Sequence, residues 1–113
     1  MKGSISDEAR VEHIWESISE IERALVNVGF DQFVANHVLR IAVVKWLEII
    51  GEAASKISEK TRKKNVNIEW EKMIGLRHVV VHEYFGINYD TIWQTATISL
   101  LQLKKELDTI ITD

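Results

Sequence analysis

The chain has 113 residues, 46% apolar and 27% charged, which fits one ordinary globular domain and excludes a disordered chain. It has no cysteine, so a disulfide framework, a thiolate metal site and a cysteine nucleophile are all excluded. A net charge of −3 with histidines neutral speaks against a general nucleic-acid coat, which displaces phosphate counterions with Lys and Arg, but leaves room for a local basic cleft.

The opening stretch MKGSISDEAR turns charged at once and lacks the apolar core of a secretory signal. No apolar run approaches the roughly 18 residues that a membrane span needs, so the expected location is the cytoplasm. Ile14, Ile18, Ile21, Leu25 and Val28 then step by four and three, the stripe of one helix face. Ser6 or Asp7 can cap its start and Gly29 can end it. A second helix is expected from after Asp31 to about Thr61, carrying Phe33, Val38, Ile41, Val44, Leu47, Ile50, Ala54 and Ile57. From Ile41 to Ile50 it is apolar on more than one side, which suggests a subunit interface in so small a protein. Gly51 inside this helix points to close packing, and Glu52 beside it either orients an arginine or faces water. Lys60, Arg62, Lys63 and Lys64 read as a solvated helix end whose cations suit the negative dipole.

Lys63 to Ile68 reads as a loop, and a third helix is expected to begin near Glu69. Val79, Val80 and Val81 favour a strand on propensity, yet a lone strand would have no partner, so the segment is read as helical. Gly86 to Asn88 is the next turn. Asp90 is a fair cap for a last helix bearing Ile92, Ala96, Leu100, Leu103, Leu107 and Ile110. With short connections, residues 1–113 are expected to form one all-α, up-and-down four-helix bundle. Trp15, Trp46, Trp70 and Trp93 are expected in core or interface positions rather than as stacking platforms for bases.

The chemistry concentrates in LRHVVVHEYFG, where Arg77, His78, His82, Glu83 and Tyr84 interleave with valines. On a regular helix Arg77 and Tyr84 share one face and His78 and His82 another, while Arg77 and His82 stand about 140° apart. Three readings fit. His78 and His82 could hold a metal, although no third ligand is evident. Arginine and histidine could satisfy buried carbonyls or carboxylates. Or a histidine could take the proton of a ribose 2′-hydroxyl while an arginine steadies charge on a phosphorane, with no metal required.

The segment RHVVVHEYFG resembles the R-x4-6-H signature of HEPN domains, in the R-x4-H-x-Y form of HepT-like toxins. WLEIIGEAASKIS, residues 46–58, is similar to the family's helix with an IGEAA stretch, and the spacing to IEWEKMIGLRH agrees. The resemblance spans residues 40–107, and the first helix shares only length and pattern. It implies a helical homodimer whose two motifs face each other in a cleft, and metal-independent endoribonuclease activity with Arg77 and His82 as catalytic residues. No cofactor is implied. His78 stands where the family commonly has asparagine or another polar residue, and could support catalysis as a second base. Glu69 replaces the usual proline before the tryptophan, which affects only how that helix begins. The family is typically encoded beside a small nucleotidyltransferase antitoxin, which is expected to transfer AMP to Tyr84. The alternative is a non-catalytic helical dimer that binds or scaffolds that nucleotidyltransferase.

Overall fold

Ser6 starts the first helix by turning its own backbone extended and accepting the Ala9 N–H on its Oγ at 3.1 Å. The computed structural model describes residues 6–78 and 88–110, and among these every regular element is a helix. Helix α1 spans Asp7–Ala24 and buries Ile14, Ile18 and Ile21, as their spacing predicts. It stops at Leu25, short of Gly29. The left-handed backbone position after it belongs to Asn27, at φ 59°, a conformation that asparagine tolerates. Gly29 instead begins the next helix, donating its N–H to Gln32 Oε1 at 2.8 Å.

The long helix expected from Asp31 to Thr61 is three helices: α2 (Phe30–Ala35), α3 (His37–Ser55) and α4 (Glu59–Lys64). Both breaks have the same cause. At Asn36 the backbone extends and the side chain accepts the Leu39 N–H at 3.0 Å. At Ser58 it extends again, and Oγ accepts the Thr61 N–H at 3.3 Å. A short polar side chain that captures a backbone donor ends one helix and begins another without proline or glycine. The cations Arg62, Lys63 and Lys64 do occupy the last turn of α4, and Arg62 Nη2 also donates to the end carbonyls of α3, Ala54 and Ser55, at 3.1 Å each.

Helix α5 (Trp70–Gly75) passes directly into a 3₁₀ turn, Leu76–His78. After residue 88 the chain forms α6 (Tyr89–Gln94), one wide π turn (Thr95–Ser99) and α7 (Leu100–Leu107). The cap of α6 is Asn88, whose side chain accepts the Thr91 N–H at 3.0 Å, and Asp90 lies in the first turn. The expected helical reading of Val79 to Val81 and most of the turn at Gly86 to Asn88 lie outside the described residues.

Helix α3 is the axis of the molecule: α1 packs along it, α5 and the 3₁₀ turn lie against it, and α2 bridges it to α6. Val43, Leu47, Ile50 and Ala54 face inward, meeting a core that includes Ile14, Ile18, Met73, Leu100 and Leu103. Trp70 is buried and donates its indole N–H to the Asn65 carbonyl at 3.0 Å; Trp46 and Trp93 are half-buried. Trp15 departs from this pattern. It is partly exposed, lies under Lys104 Nζ at 4.4 Å and donates to Asp108 at 3.2 Å, so it fastens α1 to the α7 end. No helix is long and apolar enough to cross a membrane among the described residues.

Asp7 closes the start of α1 onto the joint between α3 and α4. It accepts the Ser58 backbone N–H at 3.0 Å and the Ser58 and Thr61 hydroxyls at 2.5 Å each. Burial would push its carboxyl up, but these three donors and nearby Arg10 outweigh burial and hold it below the usual value. A carboxyl lowered in the folded state contributes stability above its unfolded pKa, and that contribution is lost as pH falls through the folded one. The melting temperature is therefore expected to decline on acidification below about pH 5. In Asp7→Asn this decline should flatten; an unchanged acid profile would show that the clasp carries none of it.

Candidate active site

Two consecutive residues of α3 meet one residue of the 3₁₀ turn at the candidate site. Gly51 is buried, and a Cβ built on it would fall 2.7 Å from Arg77 N, 2.8 Å from Arg77 Cβ and 3.0 Å from the Ile74 carbonyl oxygen. Glycine in a helix interior costs roughly 0.5–1 kcal/mol relative to alanine, and here the missing side chain is what lets the Arg77 backbone lie against α3. The close packing predicted for this glycine is thus identified, with the arginine as what packs.

Next along the helix, Glu52 Oε1 accepts from Arg77 Nη1 at 3.2 Å. The two side chains are 53% and 37% exposed, so this ion pair contributes only about 0–1 kcal/mol to folding. Of the two readings of Glu52, orienting an arginine or facing water, the geometry contains both: the carboxylate is at the surface and touches the guanidinium. The surface position leaves Arg77 accessible to an anion.

His78 follows Arg77 on the 3₁₀ turn and is exposed. The wheel of 100° per residue used for Arg77 to Tyr84 does not apply across Leu76–His78, because a 3₁₀ turn is wound more tightly, at three residues per turn. His82, Glu83 and Tyr84 lie outside the described residues. Among the described residues no group of three or more His, Asp or Glu side chains is gathered closely enough to hold a metal ion.

Beside Glu52 an open groove of about 290 Å³ runs between α1 and α3, lined by Arg10, Lys45, Glu48, Ile49, Glu52 and Lys56 among others. Arg10 and Lys56 add positive charge on the same groove as Glu52, on a chain of net charge −3, while Lys45 is paired with Glu48 at 3.2 Å. These cations were not singled out in the sequence. Lys45 and Lys56, eleven positions apart, fall about 20° apart on a helical wheel, a signal that could have paired them. Nothing local marks Arg10. A larger groove of about 560 Å³ lies between α1 and α3 around His13, Trp46 and Ile49, and Arg77 lines neither groove.

The same surface of α3 carries exposed apolar side chains on either side of Lys45. Val38, Ile41 and Ile49 are exposed at 76%, 54% and 37%, on the face that ends at Glu52. The apolar excess read from Ile41 to Ile50 is therefore only partly used by the core of the single chain.

Comparison with known proteins places this chain among ribonucleases of one family. The model of the family described as ribonuclease HepT-like matches residues 14–110. A provisionally named RNase of Methanocaldococcus jannaschii is 37% identical over 100 residues, covering 88% of this chain and 83% of its own. One from Caldanaerobacter subterraneus, also provisionally named, is 35% identical over 101 residues, covering 89% and 90%. The "Probable ribonuclease HepT" of Thermococcus cleftensis is 31% identical over 98 residues, covering 87% and 89%. No solved structure matches the chain. The chain belongs to the HepT-like ribonuclease family.

Proposed function

We propose that this chain is a metal-independent endoribonuclease toxin in which Arg77 and His82 act on the RNA phosphodiester. The observation that carries the reading is Arg77 itself: in a chain of this ribonuclease family it is backed against Gly51, met by Glu52 and accessible at the surface. His82 removes the proton of a ribose 2′-hydroxyl, whose oxygen attacks the adjacent phosphorus. Arg77 stabilises the charge that builds on the phosphorane oxygens, and the 5′-oxygen departs with a proton, leaving a 2′,3′-cyclic phosphate. His78, exposed beside Arg77, supports the phosphate by hydrogen bonding.

The working unit of the proposal is a homodimer of up-and-down four-helix bundles in the cytoplasm. The side chains of Val38, Ile41 and Ile49 support this, since exposed apolar side chains aligned on one helix face suit a partner, and that face leads to Glu52. A nucleotidyltransferase antitoxin neutralises the toxin by transferring AMP to Tyr84. The phenolic oxygen attacks the α-phosphorus of ATP, pyrophosphate leaves, and the added phosphate competes for the arginine.

The purified, unmodified chain is expected to cleave RNA in excess chelator and to leave 2′,3′-cyclic phosphate ends. Strict dependence on a divalent cation, or 3′-hydroxyl ends, would sink the mechanism. The net charge of −3 favours a second reading, a non-catalytic dimer that scaffolds the nucleotidyltransferase. Stable complex formation by a chain that leaves RNA intact would put that reading in its place.

A further inference from the structure

We propose that Gly51 and Glu52 together form a seat that positions Arg77, with Glu52 a positioning residue that acts on the reaction only through the guanidinium. The inference rests on Arg77 being the catalytic arginine of the nuclease reading and adds residues that act behind it. Two constraints reach the same residue from consecutive places on one helix. Gly51 sets the main chain, because Arg77 N and Cβ occupy the space that any side chain at 51 would fill. Glu52 sets the far end, because its Oε1 takes the Nη1 hydrogen at 3.2 Å. An arginine whose main chain is fixed and whose guanidinium meets a carboxylate is biased toward one orientation before substrate arrives, which favours effective charge stabilisation.

The supports behind the seat are rigid. Leu47, Ile50 and Ala54, on either side of Gly51–Glu52, are buried in the core, so α3 cannot roll without disturbing it. Met73 and Leu76 anchor the other side, just before Arg77. The contact with Glu52 uses one of the guanidinium's five N–H groups, and a planar fork can meet a carboxylate on one edge and a phosphate on another. An exposed pair of this kind is a weak staple for folding, so its position beside the motif arginine calls for another explanation. A competing explanation gives Glu52 the opposite sign, as an anion that occupies Arg77 and holds phosphate off.

The test uses the full chain with Glu52→Gln, which keeps the shape and removes the charge, and with Gly51→Ala. Misplacement of the arginine is expected to lower kcat about 10–100-fold in Glu52→Gln, with KM for RNA within about twofold. Its melting temperature should stay within a few degrees, since the pair is exposed. A purely structural role would move melting and not split kcat from KM; the competing-anion role would raise the rate. Either result, or an unchanged kcat, overturns the proposal. The side-chain NMR signals of Arg77 give a readout that needs no activity. They should show restricted guanidinium rotation in the natural chain, freed in Glu52→Gln and shifted in Gly51→Ala. If the natural chain cleaves no RNA, the nuclease reading fails, and these signals still decide whether the seat exists: rotation equally free in all three chains overturns it.

Discussion

Arg77→Ala is expected to lower RNA cleavage about 10²–10³-fold while the chain stays folded, an effect of about 2.7–4 kcal/mol on the transition state. The asymmetry between activity and stability follows from where the side chain lies. At 37% exposure, and paired among the described residues with a carboxylate that is more exposed still, Arg77 contributes little to the folded state through this ion pair. In the proposed reaction its charge acts where negative charge builds on a phosphorane. Arg77→Lys should recover little, because a single ammonium cannot engage Glu52 and a phosphate along two edges. Single-turnover cleavage measured beside a melting curve checks this. A loss below about threefold would remove Arg77 from the chemistry.

Phe33→Ala is expected to have the largest effect on stability, a loss of about 3–5 kcal/mol. Phe33 has no exposed surface, and its ring lies 5.3 Å from that of Trp93, which also meets Phe30 edge-on at 6.0 Å. Helix α2 has only six residues, too few to persist by backbone hydrogen bonding alone. Its attachment to α6 therefore runs through these rings. A domain's whole stability is about 5–15 kcal/mol, so the variant should lose a large part of its margin. Chemical denaturation read by tryptophan fluorescence measures it, since Trp93 reports on the same cluster. A loss below about 1 kcal/mol would mean that α2 collapses into the vacated space.

The periodicity of the apolar residues was legible where packing alone decides. Ile14, Ile18 and Ile21, then Leu47, Ile50 and Ala54, then Ile92, Ala96, Leu100, Leu103 and Leu107 are all buried as their spacing predicts. The breaks at Asn36 and Ser58 were not legible, because they depend on whether a side-chain oxygen captures a nearby N–H or turns to water. The Asp7 clasp depends on Ser58 and Thr61, 51 and 54 positions away, and no local pattern encodes such a distance. At the site the outcome was mixed. The interior glycine and the neighbouring acid could be read as a packing point and a possible partner for arginine. That both serve Arg77 follows only from the way α3 crosses the 3₁₀ turn.

The wide turn at Thr95–Ser99 has a consequence for the end of the chain. Ile92, Ala96 and Leu100 follow each other by four, and two such steps overshoot by about 80° on a regular helix. A stretch wound with more residues per revolution absorbs the overshoot, so all three side chains, with Leu103 and Leu107 beyond, point the same way into the interior. At one end Tyr89 lies 4.8 Å beneath the Arg40 guanidinium; at the other Lys104 bonds Glu22 at 2.7 Å. The terminal rod is thus indexed like a key in a slot, pinned at both ends and unable to spin about its own axis.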